Sequence, residues 1–254
     1  MLRALAALFV LIALWQLAIT ITSVPSFILP GPQAVFNAFI EQRAALFKNT
    51  IVTATEIVLA LLLGSILGLA SAIAITLYQP MRRWALPMMV VSQSLPVFAL
   101  APLLTLWFGY GMGSKIVMAT LIVYFPVTAA SYDGLRHTRQ SMIDLGRTLD
   151  ASATSLLFQI RLPAALPSIS SGLRVATSVA PIGAIVGEWV GSSEGLGYLM
   201  LLANGRMQTD LMFAALLCLC VLAYALYASV SYLLDRCLYW HDDTANSPVQ
   251  SRIT

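Results

Sequence analysis

The chain has 254 residues, of which 59% are hydrophobic and 10% charged. Soluble domains carry roughly a quarter charged residues, so the composition excludes a soluble globular domain and makes lipid the expected solvent. The net charge of +3 is small and gives no sign of a nucleic-acid partner; how the charges are distributed matters more than their sum.

About 20 apolar residues are needed to cross the roughly 30 Å hydrocarbon core of a bilayer as a helix. Six segments meet that need, at 4–23, 52–77, 85–108, 114–131, 169–190 and 211–234, so the expected fold is an all-α membrane protein in a single domain. The first run follows Arg3 as a secretory signal would, but it stays apolar to about Ile21, longer than a signal core, and reads as an uncleaved span. Pro25 to Pro32 then stops that helix, because proline lacks a donor and crowds the preceding turn. Pro32 suits the first turn of a new helix. Across 33–47, Val35, Phe36, Phe39, Ile40, Leu46 and Phe47 recur at helical spacing, which predicts an amphipathic helix. It either lies on the membrane surface or packs on the bundle.

Ala60, Gly64, Gly68 and Ala72 recur every fourth position in the second span, a spacing that lets two helix backbones approach closely. Glu56 and Arg174, near span ends, read as interfacial or snorkelling groups. The third span contains Pro87, Pro96 and Pro102 around Gln93 and Ser94, the fourth contains Pro126, and the fifth contains Pro181, Gly183 and Gly187. Interrupted helices are tolerated where protein or a wet cavity satisfies the freed backbone groups. Two readings stand: a substrate path lined by Gln93, Ser94, Pro181 and Glu188, or the prolines common to membrane helices. Glu188 is the sharpest polar residue within a span; it faces a cavity, a partner or the interface beside Trp189. Gly109 to Lys115 and Gly191 to Tyr198 read as glycine-rich external loops, and neither has the G-x-x-x-x-G-K-[ST] spacing of a phosphate-binding loop. No ATPase is expected within this chain. Cys218, Cys220 and Cys237 lack metal or disulfide spacing and read as small membrane hydrophobes.

With the N-terminus placed in the cytoplasm, ten of the fourteen Lys and Arg residues fall on the inner side: Arg3, Arg82, Arg83, Arg136, Arg139, Arg147, Arg161, Arg174, Arg236 and Arg252. Arg43, Lys48, Lys115 and Arg206 fall on the outer side. That asymmetry puts both termini and the 132–168 loop in the cytoplasm. Within the loop, Ser141 with Asp144 has the pattern of a capping box opening a helix through Leu149. Asp150-Ala151 makes a turn, Ser152 can cap a second helix over 153–162, and Pro163 ends it. Met142, Leu145 and Leu149 mark one face of the first helix, and Leu156, Leu157 and Ile160 part of the second. Such a pair buries its apolar surface on a partner or on the inner ends of its own bundle.

This loop resembles the coupling motif of importer-type ATP-binding-cassette (ABC) permeases, E-A-A, three residues, G, nine residues, I-x-L-P. Asp144 stands for the Glu, Leu145 and Gly146 for the alanines, and Asp150 for the glycine, while Ile160, Leu162 and Pro163 match in type. The motif glycine is expected in a left-handed turn, which glycine adopts freely and Asp only tolerates. Pro30-Gly31-Pro32, the run Leu95 to Leu103, Trp107 to Gly111 and Gly195 to Tyr198 extend the resemblance over nearly the whole chain. They point to the branch importing sulfonates, taurine, nitrate and thiamine pyrimidine precursors. The stretch Ala180 to Met200 looks most like hydroxymethylpyrimidine permeases.

The resemblance implies a type I ABC importer permease fold in a bacterial inner membrane. It also implies a second permease copy, cytoplasmic ATP-binding subunits docked on the hairpin, and an external or periplasmic substrate-binding protein. Asp144, Leu145, Gly146, Asp150, Ala151, Ile160, Leu162 and Pro163 would carry the coupling. No cofactor is expected in this chain, ATP and Mg²⁺ being used by the partner, and no covalent chemistry. The rival class, a stand-alone secondary transporter or channel, would need ion-coupling carboxylates or internal repeats, and the sequence offers no convincing pair of either. An intramembrane hydrolase would want a Ser–His or Asp–Asp pair within the spans, whereas His137 and His241 both lie outside them.

Overall fold

In the computed structural model, the residues described are 2–78, 80, 81, 83, 84, 87, 96–238 and 240. Gln93, Ser94 and most of the expected third span before Pro96 lie outside them. Helix α1 (Leu2–Thr22) runs along the side of the molecule, with Trp15 stacked on Phe213 at 5.8 Å between ring centroids. Helix α2 (Pro32–Glu41) opens on an extended Gly31 with Pro32 in its first turn, as expected. The predicted amphipathic helix over 33–47 is in fact two elements. The backbone breaks at Gln42 and α3 (Arg43–Leu77) begins at once, so Leu46 and Phe47 belong to the second span's own helix. Val35 and Ala38 of α2 are buried against the bundle, while Phe36, Phe39 and Ile40 point outward.

At 35 residues, α3 is about 50 Å long and overruns the hydrocarbon core. Helix α4 (Val97–Phe108) follows Pro96, which holds the N-cap position in an extended conformation, and carries Pro102 inside it. Helix α5 (Met112–Arg136) crosses the centre of the bundle, between α3 on one side and the long helix of the fifth span on the other. That fifth-span helix begins as α7 (Ala153–Leu156), passes through a π turn (Leu157–Arg161) and continues as α8 (Leu162–Gly191). Between α5 and α7 lies α6 (Gln140–Thr148). After α8 come α9 (Leu196–Gly205) and α10 (Thr209–Cys237).

Among the described residues, four helices are long and apolar enough to cross a membrane: Arg43–Leu77, Met112–Arg136, Ala153–Gly191 and Thr209–Cys237. Within α1 and α4, the apolar stretches Val10–Thr22 and Val97–Phe108 are shorter. Each of these four helices runs past its expected bounds at one end or both, because the apolar run marks the lipid-immersed part and not the helix end.

The stripe of small residues behaves as its spacing suggests. Gly64 and Gly68 on α3 meet Val123 and Val127 of α5, so close that an added Cβ would lie 2.5 Å and 3.0 Å from their side chains. On the other side of α5, Gly183 of α8 would place a Cβ 2.6 Å from the Ala119 Cα. Backbones this close gain dispersion contacts in lipid, where no hydrophobic drive brings helices together. Ile57, Val123, Val127, Ala176, Ala180 and Ala184 fill the middle of the bundle. The Thr128 and Thr177 hydroxyls donate to the carbonyls four residues earlier, so these two need no water.

Candidate functional site: the 139–163 hairpin and a buried polar centre

Helix α6 begins two residues earlier than the capping-box reading requires. Arg139 occupies the N-cap position without a side-chain cap, and Ser141 already lies inside the helix, so the Ser141–Asp144 box does not form. Asp144 instead accepts a hydrogen bond from Gln140 Nε2 at 2.9 Å and pairs with Arg147 at 3.5 Å, both on the surface.

The end of α6 is a Schellman turn. Asp150 has φ +54°, the left-handed conformation expected of the motif glycine. The Asp150 N–H donates to the Arg147 carbonyl and the Ala151 N–H to the Gly146 carbonyl, each at 3.0 Å, satisfying two carbonyls that the helix end leaves free. Ser152 then caps α7 as predicted, its Oγ accepting from the Ser155 N–H at 3.2 Å.

Pro163 does not end the second helix. The turn before it widens, with the Leu162 N–H reaching back to the Leu157 carbonyl, and the chain continues to Gly191. A proline in a regular helix strands the carbonyl four residues earlier and clashes with it. The i to i+5 spacing of a π turn accommodates both problems. The hairpin's second arm is therefore the first stretch of the fifth-span helix.

The arms touch through Gly146: a Cβ there would come within 2.4 Å of Leu156 Cδ2 and 2.8 Å of Ile160 Cδ1. Ile143 and Leu156 are buried between the arms. Leu157 is buried in the end of the bundle with Ala72, Ile75 and Leu135, and Leu162 packs on the same cluster. The outer face stays uncovered: Met142 is 47% exposed, Leu145 63%, Leu149 74% and Phe158 54%. One set of apolar residues thus closes on the bundle, while the other faces out. Of the expected coupling residues, Gly146 and Ile160 meet between the arms, Ala151 closes the turn, Asp144, Leu145, Asp150 and Pro163 lie at the surface, and Leu162 sits against the bundle. Ile143 and Phe158 were not singled out from sequence. Ile143 is one helical turn from Gly146, and that spacing was the available signal.

At the opposite end of the bundle, four elements meet at buried charges. Lys115, in the first turn of α5, was expected in an external loop; its side chain is buried, with Nζ 3.0 Å from Glu56 Oε1. Glu56 is wholly buried on α3 beside Glu188, so it is not an interfacial group. Glu188 is also buried, and it has partners. Thr53 Oγ1 donates to Glu188 Oε1 at 2.6 Å and accepts from the Leu196 N–H at 2.8 Å. Glu188 Oε2 accepts from the N–H groups of Gly197 and Tyr198, which are the free donors at the start of α9. The expected glycine-rich loop is thus shorter than its composition suggests, since Leu196 to Tyr198 already belong to a helix. Gly195, at φ +112°, takes a conformation closed to side chains, and an added Cβ would overlap the Glu188 carboxyl. Pro181, buried on α8, lies two turns before Glu188 on the same helix face.

The loop before α9 is also tied to α3. Asn49 Oδ1 accepts from the Gly195 N–H at 2.7 Å, and Lys48 Nζ bonds Glu194 Oε1 at 2.6 Å on the surface. That lysine holds the Glu194 carboxyl below its ordinary range.

A family model described as "Binding-protein-dependent transport system inner membrane component" matches residues 60–238. A Haemophilus influenzae chain named "Probable ABC transporter permease protein" is 56% identical over 91% of this chain and 94% of its own length. The formylaminopyrimidine transport permease of Halalkalibacterium halodurans is 34% identical over 91% of this chain and 92% of its own. The taurine transport system permease of Escherichia coli is 28% identical over 92% of this chain and 88% of its own. Among solved structures, an inward-facing form of the MetNI methionine ABC transporter superposes with a TM-score of 0.68 at 17% identity, covering 77% of this chain and 97% of that one.

Proposed function

The chain belongs to the family of binding-protein-dependent transport system inner membrane components, the ABC importer permeases, and from that premise we propose that it imports a small soluble nutrient, a thiamine pyrimidine precursor such as hydroxymethylpyrimidine. The observation that carries the mechanism is the 139–163 hairpin. It turns an apolar face outward through Leu145 and Leu149, while Leu157 fixes it to the bundle. A separate ATP-binding subunit covers that face in the cytoplasm. Because α7 and α8 form one continuous helix, displacement of the hairpin is transmitted directly into the fifth span. Two permease copies enclose the path, a binding protein delivers substrate to the external end, and the ATP and Mg²⁺ chemistry stays on the partner. Both termini are cytoplasmic in this arrangement.

The formylaminopyrimidine relative supports the pyrimidine reading, together with the stretch Ala180 to Met200. The taurine relative supports a second reading, a sulfonate importer. Ligand screening of the cognate external binding protein separates them: pyrimidine binding supports the first, while taurine or sulfonate binding replaces it with the second. For the coupling claim, replacing both Asp150 and Ala151 with Trp should abolish stimulation of the ATPase and transport. Undiminished stimulation and transport would remove that claim.

A further inference from the structure

The buried centre of Thr53, Glu56, Lys115 and Glu188 plays no part in docking at the hairpin, yet burying three ionisable groups is costly unless each is paired. Two carboxyl groups face one ammonium here: Lys115 pairs with Glu56 Oε1, while the Thr53 hydroxyl and the backbone donors at the start of α9 serve Glu188. Helix α9 explains the arrangement. At ten residues it is about 15 Å long, half a bilayer core, so in a membrane its first N–H groups need a partner that water cannot be relied on to provide. Glu188 is that partner, reaching from the last turns of α8. Thr53 bridges the carboxylate to the Leu196 N–H, so α3, α8 and α9 are fastened at one point, and Lys115–Glu56 brings α5 to the same point. Behind it, Leu196 and Leu199 of α9 are buried with Leu46 of α3 and Ile185 of α8.

We propose that Glu188 is a positioning residue that locks α9 against α3 and α8 at the end of the permease remote from the hairpin, with Thr53 as the bridge and the Glu56–Lys115 pair beside it. Opening that end requires the α9 donors to leave Glu188. The lock therefore sets how readily the external side opens without nucleotide. This inference rests on the importer reading for the meaning of opening, but not for the existence of the lock.

The test uses the complete transporter in vesicles: this chain, its ATPase subunits and its binding protein. Cys218, Cys220 and Cys237 are replaced by serine, and Leu199→Cys supplies one reporter for a membrane-impermeant maleimide added outside. Without nucleotide the reporter should label slowly. Glu188→Ala should raise that rate about tenfold, towards the rate seen when vanadate traps the transporter. Glu188→Gln, whose amide oxygen still accepts the α9 N–H groups, should stay near the original rate. Thr53→Val should fall between, and Thr53→Ser should restore slow labelling. If Glu188→Ala does not fold, the two Thr53 variants make the same comparison. Equal labelling in Glu188→Ala and the parent, or in Thr53→Val and Thr53→Ser, overturns the lock. If binding protein fails to stimulate ATP hydrolysis in the parent, the importer reading falls, while the contrast between Glu188→Ala and Glu188→Gln still reads the lock.

Discussion

Removing Leu145 and Leu149 should weaken docking of the ATP-binding subunit while leaving the permease folded. Each Leu→Ala change deletes three carbons, worth about 0.8 kcal/mol apiece when buried. Leu145 is 63% and Leu149 74% exposed, so a partner that covers them recovers most of that amount. The expected loss is about 1.5 kcal/mol of docking per site, roughly tenfold in Kd, and about a hundredfold for the pair if the sites add. Folding stability should change by less than about 0.5 kcal/mol, because the side chains face out of the permease itself. Leu157→Ala is the contrast. Buried in the end of the bundle, it should cost about 2–5 kcal/mol of stability. The assay is titration of the ATPase subunit onto permease in lipid nanodiscs, with thermal unfolding measured alongside. A double variant binding within twofold of the parent would refute docking through this face.

Asp150→Gly should stabilise the hairpin by up to about 1 kcal/mol, since glycine enters the left-handed region freely, whereas Asp150→Val should destabilise it by about 1–2 kcal/mol. Hydrogen exchange of the Ala151 amide reads both changes, and equal protection in the two variants would contradict the turn. Gly172→Ala and Gly183→Ala should cost about 1–3 kcal/mol by thermal unfolding, because the new Cβ meets Ala130 Cβ and the Pro126 carbonyl in one case and the Ala119 Cα in the other. Gly146→Ala should cost less, as the Leu156 and Ile160 tips that it meets can rotate. The Lys48–Glu194 tie should loosen as pH falls, but at a lower pH than an ordinary glutamate would allow, because the lysine holds the carboxyl below its usual range. Exchange of the Gly195 amide against pH follows it, and raised salt should weaken the tie at every pH since the pair is exposed.

Much of this was legible in the residues. The centres of the four long spans follow from the demands of lipid on side chains, and the small-residue stripe on α3 marks the face that meets α5. The turn at Asp150 and the Ser152 cap were readable because both are local. Helix ends were not, since α3 continues past the bilayer in polar residues that its apolar run does not mark. Pro163 was misread as a stop because the rule assumes regular helix spacing, and the π turn changes the spacing. Helix α9 was hidden in a glycine-rich run too short to register as a span. The Glu56–Lys115 pair was invisible for another reason: each residue sits near a span end on its own helix, and only the packing of α3 on α5 shows that the two face inward together.

The most direct test is ATP-dependent uptake by purified protein in sealed vesicles. With ATP-binding subunits and binding protein present, the account predicts accumulation of a pyrimidine nutrient that stops when ATP is withheld, and no movement by the permease alone. Transport of the same solute at the same rate by the permease without any companion would contradict it.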